Sequence, residues 1–408
     1  MLGSTSRNQG ENGSLKHTEM RNITFIIFFS IVLIIYSLIN YYIFIRGWKA
    51  IPVDSAIRPY YRWGFLFLAS SYIIARILER AWLSPLSDVF AWVGSFWLGF
   101  MFYFFLAVVL FDILRLLHLA LPVYPWFLPS DPAKFRFAVF IITCISVCMI
   151  MLAGFINALS PRVKTINLSI QKYAGNRQEL SVAMASDIHM GTLVGPRRTK
   201  KMANLINSLK PDMVVFAGDM VDEELAPVLR FDLGREIKRI SAPLGVYAVT
   251  GNHEYIGGAD KAKKYLEDHG VTMLNDTMIL IDNSFYLAGR EDRTSIRFGH
   301  KKRKDLGELL HGADLNKPVI MLDHQPFGLS EVAQSGADLQ ISGHTHHGQL
   351  WPLNYLTRAI YEVSAGLKKI GKTWFYVSPG YGGWGPPVRT NSRPEVVLFR
   401  ISFVSPGK

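Results

Sequence analysis

Two scarcities limit what this chain of 408 residues can be. It has only two cysteines, Cys144 and Cys148, both inside an apolar run, so no disulfide framework and no thiolate metal site can be built from them. Charged residues make up 19% of the sequence, against about a quarter in ordinary soluble domains. The shortage lies in the first 159 residues, which contain 12 basic and 7 acidic residues. That part of the chain therefore differs in kind from the rest.

Basic residues are not concentrated in any one segment of the sequence. The net charge of +12 is spread over both parts of the chain, which gives no reason to expect a nucleic-acid partner. A positive surface facing anionic membrane lipids or an anionic substrate is enough to account for the excess.

Long uncharged runs dominate residues 21–159, after a polar stretch, residues 1–20, that we predict to be a flexible tail. Residues 23–45, 89–111 and 137–159 each have 23 uncharged positions, about 35 Å of helix and enough to cross a bilayer. A signal peptide is the alternative for the first run. Its apolar region would be about 7–15 residues long, so we predict a retained span.

A weaker run, residues 60–78, carries Arg62 and Arg76 near its ends. Because arginine side chains can extend to the membrane interface, we predict a fourth span here, with an interfacial helix as the alternative. Four spans place both chain ends on one side, and the Lys/Arg distribution favours the cytoplasm only slightly. If residues 60–78 do not cross, the part of the chain after residue 159 changes sides relative to the N-terminus.

After residue 159 the apolar runs shorten to strand length. Residues 197–210 have apolar positions at helical spacing, and five short apolar runs predict strands of a buried sheet. These are residues 180–185, 213–217, 245–250, 319–322 and 337–342. The sequence therefore predicts an all-α membrane region followed by an α/β domain over residues 160–408.

Each predicted strand ends in residues that can bind a metal ion. They are Asp187 and His189, Asp219, Asn252 and His253, His324, and His344 and His346. Ends of adjacent strands meet at one edge of a sheet. Residues two apart point to the same side of an extended chain, and Gly218, Gly251 and Gly343 allow tight turns just before the ligands.

The types of ligand restrict the metal. Imidazole and carboxylate without thiolate suit Zn, Mn, Fe, Ni or Co, and there are donors enough for two divalent ions. Two such ions about 3.5–4 Å apart stabilise the attacking and leaving oxygens of phosphoryl transfer.

The order of the motifs Asp-x-His, Gly-Asp, Gly-Asn-His-Glu, His and Gly-His-x-His over residues 180–402 resembles the calcineurin-like metallophosphoesterase family. Residues 378–380 and 383–389 are similar to a membrane-associated or exported bacterial phosphodiesterase subgroup. The resemblance implies a β-sandwich flanked by helices. One segment departs from the family, because Arg290 stands where a small apolar residue is expected.

The resemblance also implies a role for each residue. Asp187, His189 and His346 hold the first ion, Asp219 bridges both ions, and Asn252, His324 and His344 hold the second. His253 stays off the metals and faces the leaving group. Asp222, Glu254 and Asp323 support ligands or are solvated, and His347 is no ligand. Arg389 binds a substrate phosphate or, alternatively, forms a surface ion pair.

We therefore expect a membrane-anchored phosphodiesterase or pyrophosphohydrolase whose substrate is membrane-associated, with a lipid head group as one candidate. A hydroxide bridging the two ions attacks phosphorus, and His253 protonates the leaving oxygen. A tethered phosphomonoesterase or nucleotide hydrolase is the alternative enzyme. A silent binding module is the alternative of another class, and the complete ligand set argues against it.

Overall fold

The computed structural model describes residues 27, 30–120, 131–298 and 301–404. The predicted tail, residues 1–20, lies outside these ranges. The chain packs as two compact units, one from residues 1–70 and 100–148, the other from residues 71–99 and 149–408. The second unit contains the α/β domain, and we call it the catalytic unit. The predicted domain boundaries stay a prediction.

Four long helices precede the α/β part. They are α1 (Ser30–Ala50), α2 (Ile57–Ala81), α3 (Pro85–Ala120) and α4 (Pro132–Ala158). Proline at the first position starts α3 and α4, where its missing N–H loses no helical hydrogen bond. Asp131 caps α4, because its carboxylate accepts hydrogen bonds from the backbone of Ala133 and Lys134.

Three of the four helices, α1, α3 and α4, are long and apolar enough to cross a membrane. Within the described ranges the predicted count of four spans is therefore corrected to three. Helix α2 does form where residues 60–78 predicted a helix. It carries Arg58, Arg62, Arg76, Glu79 and Arg80, and that many charges makes a full crossing unfavourable.

Twelve strands form the catalytic unit, in two mixed sheets of six. The first sheet has the order β1-β12-β2-β3-β4-β5, with β1 (Arg162–Ile170), β2 (Glu179–Ala185), β3 (Met213–Ala217), β4 (Val246–Val249), β5 (Thr272–Met273) and β12 (Glu395–Phe403). The second has the order β10-β11-β9-β8-β7-β6, with β6 (Thr277–Ile281), β7 (Phe285–Gly289), β8 (Val319–Leu322), β9 (Leu339–Ser342), β10 (Gly366–Ile370) and β11 (Thr373–Val377).

The predicted α/β class, the five predicted strands and the β-sandwich flanked by helices that the family resemblance implies are confirmed. The five strands are divided between two sheets, so the single buried sheet that the apolar runs suggested is wrong. Strands β2, β3 and β4 lie in the first sheet, and β8 and β9 lie in the second. In the first sheet β2 pairs in parallel with β3, and β3 with β4; in the second sheet β8 pairs in parallel with β9. Each sheet therefore contains parallel strands that are apolar along their whole length, as is typical of strands buried on both faces.

Helices cover the outer faces of the two sheets. They are α5 (Pro196–Ser208), α6 (Leu225–Arg230), α7 (Gly234–Lys238), α8 (Asn252–Gly257), α9 (Ala259–Asp268), α10 (Ser295–Phe298), α11 (Leu306–Leu309), α12 (Leu329–Gln334) and α13 (Leu353–Ile360). Helix α5 confirms the helix predicted over residues 197–210, with Met202 and Ile206 buried on the first sheet.

Strand β2 shows how the layers form. Val182 and Met184 point into the core between the sheets, whereas Ala183 and Ala185 point into the core under α5. Successive side chains of a strand face opposite sides, so a strand that is apolar at every position is buried on both. The result is a four-layer packing of helix, sheet, sheet and helix, with the ends of β2, β3, β4, β8 and β9 meeting at one edge.

Candidate metal centre

All predicted metal ligands meet at this edge. Three groups of side chains have ligand atoms within 4.8 Å of one another. The first contains Asp187, His189 and His346; the second His189, Asp219 and His253; the third Asp219, His324 and His344. His189 and Asp219 each belong to two groups, which makes the three groups one continuous cluster.

The part of the cluster predicted for the first ion lies between β2 and β9. Nε2 of His189 is 3.2 Å from Nε2 of His346, which in turn is 3.6 Å from Oδ1 of Asp187. Asp187 and His189 are buried. A carboxylate and two imidazoles thus point toward a shared space.

The part predicted for the second ion lies between β3, β4 and β8. Nε2 of His324 is 3.1 Å from Oδ2 of Asp219 and 3.2 Å from Oδ1 of Asn252. Nδ1 of His344 is 2.7 Å from the same Asn252 oxygen. Oδ2 of Asp219 is also 3.9 Å from Nε2 of His189, so this carboxylate lies between the two parts, where a bridging ligand belongs.

The local backbone differs from the extended chain that the sequence suggested. Five predicted ligands have positive φ, namely Asp187, His189, Asp219, His344 and His346, with values from 46° to 73°. The argument from alternation along an extended chain is therefore wrong, although the side chains it paired do converge. Left-handed backbone at residues other than glycine is strained by roughly 1–2 kcal/mol each, and such strain clusters at functional sites.

Two of the glycines are required by crowding. A Cβ on Gly343 would lie 2.2 Å from Oδ2 of Asp187, and a Cβ on Gly251 would lie 2.2 Å from Oδ1 of Asp219. Neither glycine has a positive φ. Their function is to let the backbone pass directly over a carboxylate ligand.

The electrostatics of the cluster suit a cation. Burial, and next the charge of His324, lowers the pKa of His344 to about 3. Burial, followed by the charges of His189 and Arg389, holds the pKa of His346 well below its usual value. Burial alone would raise the pKa of Asp219, but the charges of His324 and His253 outweigh it and bring this pKa well below normal. His344 and His346 are thus neutral beside an ionised Asp219, and these are ligand states that a metal needs. Burial would lower the pKa of His324, but the Asp219 carboxylate raises it well above normal, so His324 would release a proton on binding a metal.

Unpaired polar atoms support the same conclusion. Among the described residues, the buried Oδ2 of Asp187 and Nδ1 of His189 have no hydrogen-bond partner. A buried carboxylate oxygen without a donor is costly, and a metal ion is the partner that would satisfy it. The donor set of carboxylate, imidazole and amide oxygen therefore fits two divalent ions.

His253 differs from the other histidines in its own partners. Its Nδ1 lies 3.1 Å from Oδ1 of Asp222, and its backbone N–H donates to Oδ1 of Asp219 at 2.9 Å. Burial would lower the pKa of His253, but Asp219 and Asp222 raise it to about 9. A ring nitrogen of His253 also lies within 4.8 Å of ligand atoms of His189 and Asp219, which is close enough for metal binding. That His253 contacts the leaving group and does not bind a metal therefore stays a prediction.

Two carboxylates outside the ligand set hold the loops in place. The buried Glu254 accepts hydrogen bonds from the backbone N–H groups of Asp219, Val221 and Gly251, which joins the loops after β3 and β4. Asp323, next to His324, pairs with Arg303 and lies 3.7 Å from Nη1 of Arg290. The unexpected Arg290 is therefore a buried partner of Asp323.

The remaining predicted residues lie at the margin of the cluster. His347 binds Oγ of Ser364 through Nδ1 and belongs to none of the three ligand groups. Arg389 is buried; it donates to the Gly382 carbonyl and to Oγ of Ser392, and its Nη2 lies 3.3 Å from Nδ1 of His346. Substrate binding by Arg389 stays a prediction.

Sequence reasoning missed the connection between the site and helix α4. The amide of Asn157 donates to the carbonyls of Arg389 and Ser392, and the backbone N–H of Arg389 donates to the Gly154 carbonyl. The only signal was an asparagine in the last turn of a membrane-spanning candidate. Trp384 lies within residues 383–389, where a role at the site was predicted only for Arg389, and its ring lies 6.0 Å from that of His253.

Fold and site together define a metal-dependent phosphoester hydrolase. The family model "Calcineurin-like phosphoesterase" matches residues 180–348. A metallophosphoesterase of Aquifex aeolicus is 33% identical over 248 residues, covering 59% of this chain and 94% of that protein. The chain belongs to the calcineurin-like phosphoesterase family, whose members typically bind two metal ions.

Two further relatives extend beyond a bare catalytic domain. A metallophosphoesterase of Campylobacter jejuni subsp. jejuni is 28% identical over 388 residues, covering 92% of this chain and 98% of that protein. A bovine "Transmembrane protein with metallophosphoesterase domain" is 33% identical over 275 residues, covering 64% of this chain. The alignment spans only 60% of the bovine protein's length.

The crowding at Gly343 generates a testable prediction. Gly343→Ala places a methyl group against Oδ2 of Asp187, so we expect it to lower the bound metal per chain from two toward one and to reduce phosphoesterase activity at least tenfold. Metal analysis of the purified protein measures the first effect. Gly307→Ala is the matched control, because its Cβ would meet nothing within 4 Å. Full metal content in Gly343→Ala would contradict the assignment of Asp187.

Proposed function

We propose that this protein is a membrane-anchored phosphodiesterase or pyrophosphohydrolase with two metal ions, and that it acts on a membrane-associated phosphate ester. The observation that carries the proposal is the attachment of the site's rim to the end of helix α4. A phosphomonoesterase or nucleotide hydrolase tethered to the membrane is the competing function.

The attachment keeps the site near the membrane. Helix α4 ends at Ala158 and strand β1 begins at Arg162, so the connection is only three residues long and cannot span more than about 14 Å. Arg389 connects α4 to the metal ligands, because its backbone N–H donates to the carbonyl of Gly154 in α4 and its guanidinium lies beside His346. A substrate held in the membrane surface would therefore be within reach of the cluster.

The surroundings of His253 support a large, partly apolar leaving group. The indole of Trp384 is half exposed and stands edge-on to the imidazole. Gln349 fixes the loop, since it donates to the carbonyls of Trp384 and Pro386 and accepts from the Trp384 N–H. An aromatic wall at this position suits a diester or pyrophosphate whose leaving group extends away from the metals.

The chain's own residues divide the chemical work. Two bound divalent ions supply an acidified water and offset the charge on the phosphoryl oxygens; Asp187, His189, His346, Asp219, Asn252, His324 and His344 would hold them. Asp222 accepts the Nδ1 proton of His253 and so leaves Nε2–H directed at the substrate. From there His253 protonates the leaving oxygen, a contribution of about 10²–10⁴ in rate.

Phosphomonoesters fit less well. A monoester carries an additional negative charge, which favours a further free cation in the site. Arg389 is the guanidinium nearest the ligand set among the described residues, and it already donates to Gly382 and Ser392 from a fully buried position. This arrangement suits the positioning of His346 better than binding of a second phosphate charge.

Localisation is part of the proposal. The name of the bovine relative, a transmembrane protein, supports a membrane anchor. With three spans, the Lys and Arg residues flanking them number ten on the side of the catalytic unit and six on the other. The ten are Arg46, Lys49, Arg58, Arg62, Arg76, Arg80, Arg162, Lys164, Lys172 and Arg177; the six are Arg7, Lys16, Arg21, Arg115, Lys134 and Arg136. The positive-inside rule then favours a cytoplasmic catalytic unit.

The topology is tested by protease access. We expect the catalytic unit to resist external protease in intact cells and to be cut after the membrane is opened, because it lies on the cytoplasmic side. An epitope at the C-terminus reports the result. Cleavage in intact cells would place the site outside and overturn the cytoplasmic assignment.

The role of His253 is tested with a series of leaving groups. We expect His253→Ala to keep two metals per chain and to lower kcat most for esters with high-pKa leaving groups, about 10²-fold or more. The loss should shrink for nitrophenolate, which departs without a proton. Loss of metal in this variant would make His253 a ligand, and an equal loss across the series would make it an electrostatic contact to the phosphoryl oxygens.

The substrate class is tested by comparing esters in bilayers and in water. The full-length protein in nanodiscs should show a higher kcat/KM for a phospholipid-type phosphodiester in the bilayer than for a soluble nucleotide monoester. Trp384→Ala should lower the activity on the lipid ester several-fold more than on a small aryl diester. Tyr173→Ala, at an exposed aromatic between β1 and β2, is the control. A preference for soluble monoesters would favour the competing function.

A further inference from the structure

Helix α13 has the reverse of the burial pattern expected for a surface helix. Its polar Asn354 is buried, with 6% of the residue exposed, whereas Tyr355, Leu356 and Ile360 are 61%, 57% and 54% exposed. A surface helix of a soluble domain directs its apolar stripe at the core and its polar side chains at water. Something apolar outside the catalytic unit is therefore required to cover this helix.

The exposed apolar side chains form one continuous face. At 100° per residue, Tyr355, Leu356, Ala359 and Ile360 fall within an arc of about 140°, and all four are exposed. We call Tyr355, Leu356, Ala359 and Ile360 the apolar face of α13.

This face lies beside the end of helix α4. The backbone N–H of Trp351 donates to Oγ1 of Thr390 at 2.9 Å. Thr390 packs on α4, since a Cβ on Gly154 would lie 2.8 Å from its Cγ2. Gly154 is in the last turns of a helix able to cross the membrane, four residues before its end at Ala158. A single side chain, that of Thr390, thus lies between the start of α13 and the last turns of α4.

Basic residues lie close to the apolar face. Arg358 is exposed on α13 itself, and Lys368 on the β10–β11 hairpin, 3.1 Å from Glu362 shortly after α13, brings the hairpin to the end of the helix. Apolar side chains flanked by lysine and arginine are the composition of segments that lie in the membrane interface. Each basic residue near an anionic surface adds about 1 kcal/mol of attraction.

We propose that the apolar face of α13 inserts into the cytoplasmic leaflet at the boundary between head groups and acyl chains, and so fixes the catalytic unit against the bilayer. This proposal concerns how the catalytic unit is positioned at the membrane and does not depend on which phosphate ester is the substrate. It also reaches the site, because Tyr361 follows α13 directly and its ring lies 5.9 Å from that of His344.

A second copy of the chain is the other possible occupant, and the area argues against it. Three large side chains that are each about half exposed, Tyr355, Leu356 and Ile360, offer roughly 300 Å² of surface, whereas a stable dimer buries about 800 Å² on each partner. Insertion of this face into a membrane needs no minimum buried area, because the candidate spans α1, α3 and α4 would already hold the chain at the bilayer.

The depth of α13 can be measured on the full chain in nanodiscs containing anionic lipid. In a Cys144→Ala, Cys148→Ala background, a single Leu356→Cys carries a fluorophore, and lipids with brominated acyl chains act as quenchers. Leu280→Cys is the matched control: it is an exposed leucine on β6, the edge strand of the second sheet that lies opposite β10, and five strand spacings, about 24 Å, separate these two strands. We expect the label at position 356 to be quenched at least threefold more than the label at 280.

Three outcomes decide the proposal. Stronger quenching at 356 supports it, provided that the metal content of both labelled proteins equals that of the background. Equal, weak quenching at both positions overturns it. Energy transfer between labels at 356 on two copies, without quenching by brominated lipid, assigns the face to a second copy and also overturns it. None of these readings depends on hydrolysis, so failure of the docking is separable from failure of the proposed phosphodiesterase function.

Discussion

The structure depends on the crowding of ionisable side chains around Asp219. This buried carboxylate lies at the end of β3, accepts the backbone N–H of His253, and has His324 from the other sheet 3.1 Å away. The two sheets therefore meet at a point where charge is concentrated and water is excluded. Such an arrangement is stable only if cations balance the carboxylates. We infer that the strained backbone at Asp187, His189 and His346 is kept because metal binding offsets its energy.

Most of the site could be predicted from sequence because each ligand follows an apolar strand. The apolar runs alone did not predict the division into two sheets, since β3 and β8 are equally apolar and neither strand's sequence determines its neighbour; only the family resemblance implied a β-sandwich. The left-handed backbone of Asp219 and His344 was equally hidden. Aspartate and histidine adopt it without the glycine that usually signals it, and alternation along an extended chain was the wrong local geometry for the right set of side chains.

The boundary between membrane region and hydrolase was the hardest feature to predict. Sequence alone favours a division where the last span ends, yet residues 71–99 pack in the catalytic unit. Asp88 of α3 receives two hydrogen bonds from Arg230, and Glu79 of α2 accepts one from Thr192, in the loop that precedes α5. The sequence suggested that charged side chains of α2 extend to the membrane interface. One of them, Glu79, instead contacts Thr192 of the catalytic unit.

Arg389 shows what this continuity means for the active site. Its backbone is bound to α4 through Gly154, and its guanidinium lies against His346, with the remaining N–H groups directed to a carbonyl and a hydroxyl. A guanidinium is suited to this position because its planar fork reaches several acceptors while staying charged. The end of α4 and the position of His346, a predicted metal ligand, are therefore coupled through one residue, Arg389.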